Sequence, residues 1–173
     1  RLLLGSACLV AATLLPEKAH ASRTAPARML RFYNLNTGER ASACYWENGR
    51  YIKDGLQEFS WLFRDHRAGD LQIPIDAKLF DQLFELQRKL GVQKEIHVVC
   101  GYRSAQTNAS LRRSSRGVAK KSLHMTGQAV DLRIPGIELN RLRRAALAIN
   151  SGGVGYYPRS NFVHMDTGPK RHW

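Results

Sequence analysis

The chain is short of acid and short of thiol. Fourteen Asp+Glu face 27 Lys+Arg, a formal net charge of +13 over 173 residues. Its three cysteines form no Cys-x-x-Cys pair, which excludes a thioredoxin-like redox centre. There is no Gly-rich Walker loop, no Gly-x-Ser-x-Gly elbow and no His-Glu-x-x-His helix. P-loop nucleotide chemistry, the serine-hydrolase elbow and the helical zinc-protease motif are therefore set aside. No apolar run reaches the roughly 20 residues that a membrane-spanning helix needs. The acid deficit raises nucleic-acid binding as a reading. No helix-turn-helix, zinc-finger or RNA-binding signature supports it, so no nucleic-acid partner is expected. The densest cationic run, Arg112 to Lys121, is broken by Ser and Gly and reads as a solvated loop. Its functional alternative is attraction to polyanionic material at the cell surface.

What is present begins with a leader-like start. Arg1 precedes an apolar run, Leu2 to Leu15, then Pro16 and Ala19-His20-Ala21. A hydrophobic stretch followed by Ala-x-Ala reads as a signal peptide over 1–21 with a truncated charged start. Export to the periplasm is the expectation. Cys8 raises lipidation, but Gly-Ser-Ala before it fits that consensus poorly. Residues 22–27 read as a short mobile segment and 28–173 as one domain, large enough for its own core. The expected state is a monomer. In an oxidising compartment Cys44 and Cys100 are free to pair; equally, Cys100 suits a small core position at a strand end.

The domain opens with strands at 29–34 and 41–46, then a hairpin turn at Asn48-Gly49 and a returning strand from Arg50. Phe32, Tyr45, Trp46 and Tyr51 read as packing. Apolar residues at helical spacing predict helices over 56–67 and, behind an Asp76 cap, up to Gly91. Glu95 to Cys100 is a strand, with His97 a structural histidine within it. Ala105 to Leu111 is a short helix, and Glu138 to Asn150 a longer one with Arg141, Arg143 and Arg144 towards solvent. Strands over 154–157 and 162–166 flank a turn at Pro158, and Gly168 to Trp173 is a basic tail. Gly155 suits either a close backbone approach by substrate or a bulge.

The informative stretch is Ser122-Leu123-His124-Met125-Thr126-Gly127-Gln128-Ala129-Val130-Asp131. His124 and Asp131 lie seven residues apart. On a straight helix that separation is roughly 10 Å, and on a straight strand about 23 Å. A zinc ion needs donors about 2.0–2.2 Å away, so a shared ion requires the chain to fold back, and Gly127 permits the turn. Beyond it, Ala129, Asp131 and Arg133 share one strand face and Val130, Leu132 and Ile134 the other. Most His–Asp pairs are ordinary hydrogen bonds. A third donor, His164 in Phe162-Val163-His164-Met165-Asp166, gives two histidines and a carboxylate, a catalytic zinc set with one open position.

These motifs, with Gly101-Tyr102-Arg103-Ser104 before them and Phe-Val-His-x-Asp-x-Gly after, resemble the M15 metallopeptidases. The likeness runs from about Arg28 to Trp173, in a branch that includes murein endopeptidases. It implies an α+β fold, a central antiparallel sheet with helices on one face. It implies Zn2+ held by His124, Asp131 and His164, with Arg103 gripping a carboxylate of a peptidoglycan peptide stem. It also implies hydrolysis of cross-link amides, with bridges between two meso-diaminopimelate residues the specific expectation. The alternatives are D,D-carboxypeptidase or D,D-endopeptidase action, and a non-catalytic zinc-containing cell-wall-binding module. Many relatives carry Glu or His two or three residues before the last metal histidine. Here Phe162 and Asn161 stand in those places. Asp166 is left as either the general base or an orienting partner for a ligand histidine, and His172 is the weaker substitute.

Overall fold

The computed structural model describes residues 26–115 and 117–173. The expected leader over 1–21, Cys8 and residues 22–25 of the expected mobile segment lie outside the described residues. Pro26 and Ala27 run directly into the first strand.

The strands are β1 (Arg28–Asn34), β2 (Arg40–Glu47), β3 (Arg50–Tyr51), β4 (Ile96–Cys100), β5 (Ala129–Arg133), β6 (Gly153–Tyr157), β7 (Phe162–Asp166) and β8 (Arg171–His172). They form one sheet in the order β3-β2-β1-β4-β5-β7-β6-β8. Helices are α1 (Lys53–Leu62), α2 (Ala77–Leu90), α3 (Ala105–Ser114) and α4 (Leu139–Ile149). The fold is α+β, as the resemblance implied. The sheet is antiparallel except at β1–β4 and β6–β8, which run parallel. The first parallel pair follows from topology: β2, β3, α1 and α2 all intervene, giving the long crossover that parallel neighbours need.

One sheet face is apolar by simple alternation. Leu30 and Phe32 of β1, Ile96 and Val98 of β4, Val130 and Leu132 of β5, and Val163 and Met165 of β7 are all buried. They meet Phe59 and Phe63 from the α1 region and Leu79, Phe80, Leu83 and Leu86 of α2. Phe32 sits at the centre, edge-on to Phe59 at 4.8 Å and to Phe63 at 5.1 Å. Such edge-to-face pairs add about 0.5–1.5 kcal/mol beyond burial. The leucine stripe read from the sequence is thus the stripe that packs.

Helix ends follow their caps. Asp76 accepts from the Lys78 amide at 3.0 Å, and Gly91 closes α2 in the left-handed region at φ 67°. The first helix departs from the sequence reading. It starts three residues earlier and stops at Leu62, not Arg67. Asp65 breaks it: its buried carboxylate turns away to accept amide hydrogens of Arg67 (3.1 Å) and Ser104 (2.8 Å). A short Asp competes well for backbone donors, which is why such residues end helices. Arg141 faces solvent but donates to the Leu90 carbonyl at the end of α2 (3.0 Å), and Arg143 lies over the Tyr156 ring. Tyr51 is exposed and hydrogen-bonds Asp81 at 2.6 Å, so it belongs to a polar contact and not to the core.

Candidate metal centre

The second sheet face carries the polar site. In the β5–β7 ladder Asp131 stands directly opposite His164. Val130 and Leu132 fill the core, so alternation turns Asp131 the other way. His124 arrives from above, on a 3-10 turn over Leu123–Thr126 that Ser122 caps. Gly127 ends the turn at φ +69°, and a Cβ there would lie 2.7 Å from the Pro74 carbonyl oxygen. The fold-back expected between His124 and Asp131 is this turn.

Three donor atoms converge. His124 Nε2 lies 3.3 Å from Asp131 Oδ1 and 3.3 Å from His164 Nδ1, and His164 Nδ1 lies 2.8 Å from Asp131 Oδ1. The edge of a tetrahedron built on bonds of 2.0–2.2 Å is about 3.3–3.6 Å. Two sides of the triangle match that edge, and the third, between His164 Nδ1 and Asp131 Oδ1 at 2.8 Å, is shorter than it. Each imidazole is also fixed from behind. His124 Nδ1–H donates to the Gly101 carbonyl at 2.7 Å, and His164 Nε2–H donates to Asp166 Oδ2 at 2.9 Å. When both rings are neutral with those protons so placed, the facing nitrogens present lone pairs to one point, the arrangement metal-binding histidines use. His124, Asp131 and His164 could hold a divalent cation.

Burial alone would strip the charge from these groups, but their neighbours outweigh it. Asp131 carries the His124 pKa up to about 10, with the Cys100 thiol adding to the effect. The two histidines hold the Asp131 carboxyl well below the usual carboxylate range. Asp166 is also depressed, by His164, Arg171 and the amides of Gly168 and Gly153, against a burial penalty.

Asp166 has no solvent exposure. Its Oδ1 accepts from Gly153 N and Gly168 N, both at 2.9 Å, and from Arg171 at 3.1 Å. Its Oδ2 accepts from His164 and, at 2.7 Å, from Arg171. Five donors surround the carboxylate, and it faces the back of His164, not the donor triangle.

The cleft in front of the triangle has a volume of about 360 Å³ and is lined by Arg67, Cys100, Arg103, Lys121, Tyr157 and Trp173, among others. Arg103 is 9% exposed, and its Nε has no hydrogen-bond partner. Its backbone amide donates to the His124 carbonyl at 3.1 Å, tying the Gly101–Ser104 loop to the metal turn. Asp131 is the only carboxylate among the cleft's described lining residues. Asn161 and Phe162 supply no base: Asn161 is exposed, and Phe162 stacks on Tyr157 with centroids 4.5 Å apart. A larger groove of about 810 Å³ lies elsewhere, between β1 and the end of α2, and carries no histidine, carboxylate or thiol.

The expected basic tail is part of the site. Arg171 and Trp173 line the cleft while His172, alternating with them in and beyond β8, is exposed and lines no part of it. Trp173 packs its ring 5.3 Å from that of His164 and donates to Tyr157 Oη at 2.7 Å. It also accounts for Gly155: a Cβ there would meet the Trp173 indole at 2.7 Å. Neither substrate nor a bulge is required to explain that glycine. His97 is structural, 3.5 Å from Glu95 and edge-on to Tyr33. Cys44 and Cys100 are both free thiols. Cys100 is not a core residue; its sulfur joins donor atoms of His124 and Asp131 in a set lying within 4.8 Å of one another. Arg171, Trp173 and Cys100 carried no local motif, and only the folded topology brings them to the histidines.

Comparison with known proteins shows the family of the chain. The family model described as "Peptidoglycan L,D-endopeptidase MepK" in the Peptidase_M15_2 family matches residues 22–173. The peptidoglycan L,D-endopeptidase MepK of Escherichia coli strain K12 is 51% identical over 173 residues, covering 99% of this chain and 94% of the relative. The protein of the same name from Shigella flexneri matches to the same extent. The probable peptidoglycan L,D-endopeptidase MepK of Haemophilus influenzae is 44% identical over 163 residues, 93% of this chain and 87% of the relative. No solved structure matches. On a family match across nearly all of the domain and half-identity end to end, the chain belongs to the M15 peptidases, in the Peptidase_M15_2 family.

Proposed function

We propose that the chain is a metal-dependent peptidoglycan endopeptidase that hydrolyses amide bonds in peptide cross-links, with zinc as its metal and the bridge between two meso-diaminopimelate residues as its bond. The convergence of His124, Asp131 and His164 on one point, with both imidazoles oriented from behind, carries the reading. Zinc in that position supplies Lewis acidity to water and to an amide carbonyl. The chain's own side chains do the rest. Gly101 and Asp166 hold the outward protons of the two imidazoles, keeping the inward nitrogens free. Asp166 is thus an orienting partner in this reading and not the general base, because its five donors leave it no free role in proton transfer. Arg103, with an unpartnered buried Nε beside the cleft, suits a bidentate grip on a stem carboxylate. Arg67 and Lys121 add positive charge to the rim. This basic cleft fits a substrate rich in carboxylates.

The relatives' names and the leader-like start favour a periplasmic location. No helix among the described residues is long and apolar enough to cross a membrane. The decisive experiment is digestion of defined muropeptides by the purified chain, with zinc and with a chelator, read by product mass. Cleavage between two meso-diaminopimelate residues that stops with chelator is the expected result. Release of a terminal D-alanine would instead give the D,D-carboxypeptidase reading. Zinc binding with no cleavage of any muropeptide would leave a cell-wall-binding module.

A further inference from the structure

We propose that Cys100 is a further metal-ligating residue, whose thiolate, with His124 and Asp131, makes this centre a site for thiophilic divalent cations of the cadmium class. The inference shares His124 and Asp131 with the function proposed above and rests on it to that extent. Its own basis is the position of the sulfur. In β4 the core residues are Ile96 and Val98, so strict alternation would send Cys100 into the core as well. A register shift between Val98 and Cys100 prevents this: Val98 pairs with Leu132, and Cys100, not Val99, pairs with Asp131. The extra residue reverses the facing of the strand end, as β-bulges do. The thiol therefore stands beside Asp131 on the site face and lines the cleft.

A further observation points to a ligand there. Donor atoms of Cys100, His124 and Asp131 lie within 4.8 Å of one another. In the sheet order β4-β5-β7, Asp131 is central, with Cys100 on one flank and His164 on the other. His124 and Asp131 are thereby common to two donor sets. The set with His164 has only nitrogen and oxygen, which suit zinc; the set with Cys100 adds a soft sulfur, which favours softer cations. When the thiolate binds a cation, its proton leaves to solvent, and no oxidant or reductant is involved.

The test uses the full chain carrying Cys8→Ser and Cys44→Ser, so that Cys100 is its one thiol, reduced and stripped of metal. Titration with cadmium alone is followed by ultraviolet absorption and by bound-metal analysis. The expected result is one bound equivalent with a thiolate-to-metal charge-transfer band. Adding Cys100→Ser should abolish the band and weaken cadmium binding by about tenfold or more, while zinc binding changes far less. Circular dichroism establishes that the variant is folded. Cadmium bound without the band, a band that survives Cys100→Ser, or no cadmium bound at all would each overturn the proposal. Zinc-dependent muropeptide cleavage by the chain with Cys100 intact tests the peptidase reading separately: cleavage with no cadmium band overturns only the Cys100 proposal, and a band with no cleavage overturns only the peptidase reading.

Discussion

At the scale of the residue, the centre depends on where each imidazole proton sits. Asp166 separates two roles that sequence alone left open. If it orients His164, Asp166→Asn should lower metal affinity about 10–100-fold and lower activity in step with metal content. A general base would lose activity at full metal occupancy, so metal analysis beside the rate distinguishes the two. Arg103→Lys keeps the charge but loses the planar fork. A charged hydrogen bond is worth about 1.5–3 kcal/mol, so KM should rise roughly tenfold or more with little change in bound zinc. The His124 pKa gives a third expectation. In the metal-free chain it is raised to about 10, above an unfolded value of about 6.5. This contribution to metal-free stability is complete below about pH 6.5 and fades as pH rises through 10. Zinc must displace that proton. Binding at pH 7 should therefore release protons and weaken as pH falls, measured by calorimetry in buffers of different ionisation heat.

At the scale of the element, the sequence was legible wherever a local rule acts. Asp76, Gly91 and the leucine stripe of α2 are cap, stop and apolar face, and each is used so in the fold. Gly127 and the alternation through Asp131 predicted the turn and the facing that assemble the donor triangle. What stayed hidden depends on distant partners. The early end of α1 follows from Ser104, 39 residues beyond Asp65. The outward turn of Cys100 follows from a register shift against β5. The docking of Arg171 on Asp166 follows from a two-residue strand too short to show a period. Asp65 offers the test at this scale, because it pins the Arg103 loop to the end of α1. Asp65→Ala leaves the Ser104 and Arg67 amides without their acceptor and should cost about 1–3 kcal/mol in urea unfolding at pH 7. Burial opposes the Asp65 carboxylate, but Thr107 and the Ser104 and Arg67 donors hold its pKa below the usual 3.8. A depressed carboxyl stabilises above its unfolded pKa and loses that effect as pH falls through the folded one. The gap between wild type and variant should therefore be full at pH 7 and narrow in acid below the usual carboxyl pKa.

At the scale of the molecule, the charge imbalance has a counterpart in the cleft lining. A formal +13 over the 173-residue chain would, on the proposed function, give a long-range attraction for an anionic polymer, and the cleft adds Arg67, Arg103 and Lys121. Arg171 is not free to add to that field at close range, since both its terminal nitrogens bind Asp166. Exposed charges more than about 8–10 Å apart are screened at moderate salt, whereas a buried contact is not. Two components of binding should then separate with ionic strength. With His164→Ala, used to stop hydrolysis, pelleting with intact peptidoglycan should fall several-fold between about 50 mM and 500 mM salt. Arg67→Ala and Lys121→Ala should flatten that dependence and slow capture, the behaviour of rim charges. Arg103→Ala should instead weaken binding at every salt concentration, since its partly desolvated fork acts at contact distance. If all three variants share one salt slope, the cleft does not divide its cations between steering and gripping, and the charge serves only general adhesion to the wall.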